Sequence, residues 1–310
     1  MQIEKFKGLI AAPFTPLDAF GNIVPGRVPV LADNLKMNGV LGAFIIGSTG
    51  EGVSLTLAEK KAIIQAWRKE QAADFKVIVL VASNSLREAC DLAEFVQSEG
   101  IFGVAVLPPF YFKLKSTAVL IDFFREIAES APQLPIYYYH IPALTGVNFP
   151  MIEFLQLARD IPNLAGIKYT GPDLMDFRKC LTFDGGKYDV LWGIDEVLLS
   201  ALAMGACGGV GSTYNYAAPL YHELIDAFVA GDLPRARQLQ SKSIEIVDIL
   251  VRYGGISAGK YFMKSIGLDC GAFRKPLNST VDMEQFTSDL ERINFGKYAS
   301  NRVAKVGNAE

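Results

Sequence analysis

The sequence predicts an α/β protein: a (β/α)8 barrel of the TIM type with a C-terminal helical extension. Three observations lead there. Eight short apolar runs recur between residues 8 and 215, several of them continuous enough for parallel strands covered on both faces. Stretches with helical period lie between them. Eight such alternations also fit the usual barrel length of ~250 residues. A doubly wound open sheet is the competing fold. It would more often carry a Gly-rich turn straight after its first strand, where this chain has Pro13-Phe14-Thr15-Pro16.

In chain order, the strands are predicted over residues 8–14, 42–48, 76–83, 103–109, 135–142, 164–170, 188–194 and 208–215. Helical periodicity marks residues 57–67, 87–99, 119–130 and 151–159. Thr56 to Glu59 and Ser85 to Glu88 have the spacing of capping boxes at helix starts. Gly39, Gly100 and Gly205 stand where helices end in a left-handed residue. Beyond the eighth strand the alternation stops, and 219–229, 233–252, 257–266 and 281–293 all read as helices. The expected organisation is a barrel domain over 1–230, a helical extension over 231–296 and a loosely held polar tail over 297–310. Pro13 falls within the first predicted strand, where a missing N–H could alter the pairing.

Composition narrows the function classes. The chain has 310 residues, half of them apolar, and a net charge of −3. That supplies a large core and gives no footing for nucleic acid. No apolar stretch reaches transmembrane length, and the charged N-terminus, Met1 to Lys7, does not resemble a signal peptide, so a cytoplasmic protein is expected. Cys90, Cys180, Cys207 and Cys270 are scattered without a CxxC pair, and His140 and His222 are the only histidines. No metal site is implied. Asn278-Ser279-Thr280 matches a glycosylation acceptor by chance.

In a barrel of this kind chemistry gathers at the C-terminal ends of the strands. Lys168, near the end of strand six, is the most informative residue there. A lysine in a buried strand is costly unless it is paired, neutral or reacting. An unperturbed lysine amine titrates near ~10.4, so only about one in 2,500 is neutral at pH 7, and an apolar setting favours the nucleophilic form. The alternative is a lysine with a buried stem and its head in water.

The other strand ends supply possible partners. Strand two ends in Gly47-Ser48-Thr49-Gly50-Glu51-Gly52, whose backbone can form an anion-binding concavity with Ser48 and Thr49 as hydroxyl donors; a plain Gly-rich turn is the alternative. Strand five carries Tyr137, Tyr138, Tyr139 and His140. A period of two places Tyr137 and Tyr139 on one face, and Tyr139, nearer the strand end, is the better proton shuttle. His140 reads as a satisfied packing residue. Thr170 shares a face with Lys168. Asp195 and Glu196, after Gly193, could cap the next helix or hold hydroxyls of a polyol. Strand eight ends with Gly211 and Ser212, which allow close approach and a hydrogen bond.

These segments, together with Tyr137 to Gly146, resemble the N-acetylneuraminate lyase branch of the dihydrodipicolinate synthase family of class I aldolases, in the same order from Gly8 to about Tyr216. The resemblance implies a cofactor-independent, reversible cleavage. Lys168 would form the Schiff base, and Tyr139 would move the proton of the C4 hydroxyl. Ser48 and Thr49 would hold the pyruvate carboxylate, and Thr170, Gly193, Asp195, Glu196, Gly211 and Ser212 the sugar chain. Tyr111 matches a tyrosine that reaches a neighbouring subunit's site, and a homotetramer is implied. Dihydrodipicolinate synthases carry an arginine soon after the strand-five tyrosine, whereas residues 142–146 hold no basic residue here. Many bacterial lyases have asparagine in place of His140. The remaining alternatives are an aldolase for another 2-keto-3-deoxy sugar acid and a ligand sensor built on the same barrel.

Overall fold

The computed structural model describes residues 3–277 and 281–300. The sequon at 278–280, the first two residues of the N-terminal segment and the tail from 301 onward lie outside the described residues.

Eight parallel strands close into a barrel in sequence order: β1 Gly8–Ala11, β2 Gly42–Ile45, β3 Lys76–Val81, β4 Gly103–Val106, β5 Ile136–His140, β6 Leu164–Tyr169, β7 Asp189–Trp192 and β8 Gly208–Gly211. The ring is sealed where β1 pairs with β8, Gly8 opposite Gly208 through Ala11 opposite Gly211. The predicted (β/α)8 architecture is the one found. Every strand is nevertheless shorter at its C-terminal end than its apolar run suggested. The overrun residues leave the ladder to line the mouth, and several are prolines with no N–H to contribute. Pro13 is one of them. It lies past the end of β1, so the pairing it was expected to disturb is intact.

The helices around the barrel are α1 Val28–Met37, α2 Leu57–Arg68, α3 Leu86–Ser98, α4 Thr117–Ser130, the single turn α5 Pro142–Thr145, α6 Met151–Leu157, α7 Leu174–Thr182, α8 Leu198–Met204 and α9 Tyr214–Val229. The Thr56–Glu59 capping box is complete. At α3 only half of it forms: Ser85 caps the Glu88 N–H, while the Glu88 carboxylate turns to Ser83 and Lys60. Gly39, Gly100 and Gly205 all have positive φ. Helices α1, α7 and α8 lie outside the predicted helical segments, and at α7 Asp173 caps the Met175 and Asp176 amides.

The expected strand through residue 215 and helix from 219 are both corrected. Helix α9 starts at Tyr214, is broken at Ala217 (φ −139°) and resumes, so Pro219 sits in a fresh first turn where a proline is tolerated. Asn215, read as strand, instead donates its side-chain amide to the carbonyls of Ala12 and Ser212 and ties β8 to β1.

The extension comprises α10 Leu233–Arg252, α11 Gly259–Ser265 and α12 Met283–Arg292. Residues 297–300 are not loose: Tyr298 and Ser300 are buried, and the Ser300 N–H donates to the Tyr216 carbonyl at 2.8 Å. Among the described residues no helix is long and apolar enough to cross a membrane.

Candidate active site

Lys168 is the fifth residue of β6, opposite Tyr139 on β5 and Leu191 on β7, and only 5 % exposed. Its Nζ lies 4.1 Å from the ring centroid of Phe44 on β2 and 4.1 Å from that of Tyr139. The two rings meet edge to face, 5.5 Å apart. Two aromatic faces thus form a slot around the nitrogen. Among the described residues no carboxylate lies within ion-pair distance of it. The snorkelling alternative fails, because the head group is buried with its stem.

The two tyrosines on this face of β5 part company. The Tyr137 hydroxyl donates to Asp189 Oδ2 at 3.2 Å, at the start of β7 and so on the barrel floor. Tyr139 stands at the mouth beside Lys168. His140, on the opposite face, packs against Tyr138 and Tyr169. It is a buried packing residue but not a satisfied one, since Nδ1 has no hydrogen-bond partner. Burial holds its imidazole down to about 4, with Asp176 opposing.

The Gly47–Gly52 segment is a tight loop. Ile46 (φ 48°) and Glu51 (φ 55°) are both left-handed, an unusual backbone for non-glycine residues. The Glu51 N–H donates to Ser48 O at 3.1 Å, the Gly52 N–H to Gly47 O at 3.1 Å, and the Thr15 hydroxyl to Gly50 O at 2.6 Å. Thr49 is buried and Ser48 half-buried at the rim.

At the end of β7 the two acids differ. Neither caps a helix: the turn Asp195–Val197 and α8 both begin without a side-chain cap. Asp195 is buried, and its Oδ2 accepts from the Thr213 N–H at 2.9 Å and the Thr213 hydroxyl at 2.7 Å. Burial pushes its carboxyl up to about 6, and the Thr213 donors and the Lys168 charge pull the other way. Glu196 is half-buried. Behind Asp195, the Tyr221 hydroxyl lies 2.7 Å from that of Thr213 and 2.8 Å from that of Ser243. Ser243 and Gln240 of α10 donate to the Asp195 carbonyl at 3.3 and 3.4 Å.

Two glycines of the predicted set are demanded by this packing. A Cβ on Gly211 would lie 2.1 Å from Asp195 Oδ1, and one on Gly193 would lie 2.0 Å from Thr170 Oγ1. Both glycines make room for side chains of the site itself. Thr170 Oγ1 is buried and has no hydrogen-bond partner, a polar atom ready for a ligand. Ser212 is half-buried beside Thr213. Tyr111 is apart from this cluster within one chain. It is 74 % exposed on the loop after β4, its ring against Phe112 and its amide donating to Asn84 Oδ1 at 3.1 Å.

Sequence reasoning missed Phe44, Thr213, Thr15, and the Lys260 and Arg274 that back the Glu51 side of the loop. Strand period alone could have found Phe44. Thr213 adjoins a residue already singled out. Lys260 and Arg274 are more than 200 positions from the loop, and no local pattern points to them.

The family model described as the dihydrodipicolinate synthetase family matches residues 5–292. An N-acetylneuraminate lyase of Rattus norvegicus is 36% identical, covering 99% of this chain and 98% of its own. Among solved structures, an N-acetylneuraminate lyase of Proteus mirabilis superposes with a TM-score of 0.90 at 38% identity, over 95% of this chain and 100% of that one. A dihydrodipicolinate synthase of Bacillus anthracis superposes with a TM-score of 0.86 at 27% identity, over 93% of this chain and 97% of that one.

Proposed function

The chain belongs to the dihydrodipicolinate synthetase family, and on that premise we propose that it is a Schiff-base aldolase, a carbon–carbon lyase that reversibly cleaves N-acetylneuraminate to N-acetylmannosamine and pyruvate. The observation that carries the chemistry is Lys168: a buried lysine at a barrel mouth, slotted between Phe44 and Tyr139, with its nitrogen free of any carboxylate partner among the described residues. The substrate assignment rests on the likeness to N-acetylneuraminate lyases and on the lack of a basic residue in 142–146.

In this mechanism the Lys168 amine attacks the C2 ketone of the open-chain sugar and water leaves, giving a protonated imine. The imine is an electron sink. Tyr139 accepts the C4 hydroxyl proton as the C3–C4 bond breaks, which releases the aldehyde of N-acetylmannosamine and leaves an enamine on the lysine. Return of a proton to C3 and hydrolysis free pyruvate and the amine. Ser48, Thr49 and the loop amides bind the carboxylate and so set the attack geometry. Thr170, Glu196 and Ser212 face the sugar chain. Asp195, Gly193 and Gly211 shape that part of the site, Asp195 through Thr213. The reaction uses no cofactor. The exposed Tyr111–Phe112 pair suits a subunit contact, in keeping with a homotetramer that works in the cytoplasm.

Borohydride reduction in the presence of pyruvate tests the chemistry. A stable adduct on Lys168 is expected, and an adduct elsewhere, or none, refutes it. Pyruvate release from a panel of sugar acids tests the substrate. Faster turnover of a 2-keto-3-deoxy acid than of N-acetylneuraminate would replace the sialic acid assignment.

A further inference from the structure

The loop to which the pyruvate carboxylate is assigned is gripped from outside the barrel. Glu51 follows Thr49 by two residues, and its side chain is fully buried. Oε1 lies 2.9 Å from Nζ of Lys260 on α11, itself only 2 % exposed, and Oε2 accepts from the Arg274 N–H at 2.8 Å. Lys260 also donates to the Ala272 carbonyl and lies 4.5 Å from the centre of the Phe273 ring. The Arg274 side chain spreads over the Gly21 and Ser54 carbonyls and both carboxylate oxygens of Glu59, which brackets the far side of the same loop.

Helix α11 has little room to slide. A Cβ on Gly259, next to Lys260, would lie 2.2 Å from the Phe14 ring beyond β1. A buried ion pair is a poor device for stability alone, because desolvating two charges offsets much of their attraction. Here it does two things that an apolar pair would not. It fixes the left-handed Glu51 in one place, and it neutralises a carboxylate two residues from a hydroxyl assigned to bind an anion.

We propose that Lys260, acting through Glu51 and with Arg274, is a positioning residue for the substrate carboxylate, so that the C-terminal extension is a working part of the pyruvate site. The proposal rests on the reading of the Ser48–Thr49 loop as that site.

The test is borohydride trapping titrated with pyruvate, on the full-length protein and on Lys260→Met, Glu51→Gln and the double variant, each checked by thermal melting. The wild type should form the Lys168 adduct. In the variants the pyruvate concentration for half-maximal trapping should rise roughly 10- to 100-fold, the scale of a misplaced binding group. The KM for N-acetylmannosamine in the condensation direction should change by less than about twofold. The double variant removes both charges and so spares the fold an unpaired buried ion. If it melts near the wild type and still needs more pyruvate, the tether is supported. If Lys260→Met does not fold, Glu51→Gln, which keeps its volume and can still accept from the Arg274 N–H, carries the comparison. A folded variant with wild-type pyruvate dependence overturns the tether and leaves the aldolase reading standing. A wild type that forms no adduct overturns the aldolase reading and the tether with it.

Discussion

Strand β7 has a buried aspartate at its start and another three residues past its end. Asp189 begins the strand on the barrel floor, and Asp195 follows it at the mouth. At the floor, the carboxylate has the Tyr137 hydroxyl at 3.2 Å and a long contact of 3.5 Å from the Phe6 N–H. At the mouth, Asp195 takes two shorter bonds from Thr213, and its carbonyl is held by two side chains of α10. Burial raises both acids, Asp195 to about 6 and Asp189 to about 7. The same division runs along β5, where Tyr137 serves the floor and Tyr139 the mouth. Similar residues two or six positions apart thus take separate tasks. The barrel fixes its mouth acid at Oδ2 and at the backbone carbonyl, whereas the floor acid is held by two longer bonds to one oxygen.

The strongest way to break this contrast is at the mouth. Lys168→Met should lower turnover of N-acetylneuraminate by at least ~10³-fold, as for loss of a covalent nucleophile, and abolish the borohydride adduct. Tyr139→Phe should cost ~10²- to 10⁴-fold in kcat, the range of a lost general acid–base. The floor counterpart, Tyr137→Phe, should leave kcat within about threefold while lowering stability by ~1–2 kcal/mol, since Asp189 loses a buried donor. Equal kinetic damage from both tyrosine variants would dissolve the distinction between the two ends of the strand.

Much of this was legible in the chain because a parallel barrel writes itself locally. Continuous apolar runs, helix caps and positive-φ glycines each depend on a few neighbouring residues, and a side-chain period of two separates Tyr139 from His140 without coordinates. The strand ends were less legible, because residues that line the mouth are as apolar as those in the ladder. What supports the site was not legible at all. Thr213 reaches Asp195 across 18 positions, and the α10 and α11 contacts come from the far end of the chain. Helical pattern predicts that such helices exist, not where they dock.

A smaller effect should come from loosening Asp195 without removing it. Thr213→Val keeps the backbone donor and the shape but deletes the 2.7 Å hydroxyl bond. Loss of one hydrogen bond to a charged group is worth ~1.5–3 kcal/mol, so kcat/KM for N-acetylneuraminate should fall by roughly 10- to 100-fold. Pyruvate trapping should be unchanged, because the Thr213 side chain bonds to Asp195 and Tyr221 and not to the carboxylate loop. An equal loss at both substrate ends would show that Thr213 supports the whole mouth and not its sugar side alone.

The mildest test is at the floor, and its sign follows from linkage. Asp189 is raised from an ordinary carboxyl value of 3.8 to about 7 by burial, which the Phe6 and Tyr137 bonds and the Lys5 charge only partly oppose. Between those values the native state keeps a proton that the unfolded chain has lost. Stability therefore falls as pH rises through this window, and the loss is complete once the folded group ionises. Asp189→Asn removes that group's contribution while preserving an acceptor for Tyr137 and Phe6. Relative to the wild type, the variant should gain stability from about pH 4 to about pH 7 and no more above it. The gap in Tm should widen by on the order of 5 °C across that window. Asp195, raised to about 6 by the same cause, remains in both proteins and cancels from the difference. Melting curves at half-unit pH steps measure the gap. A constant gap would mean that the floor carboxylate pays no desolvation cost on ionising, and that it differs in this from Asp195 at the mouth.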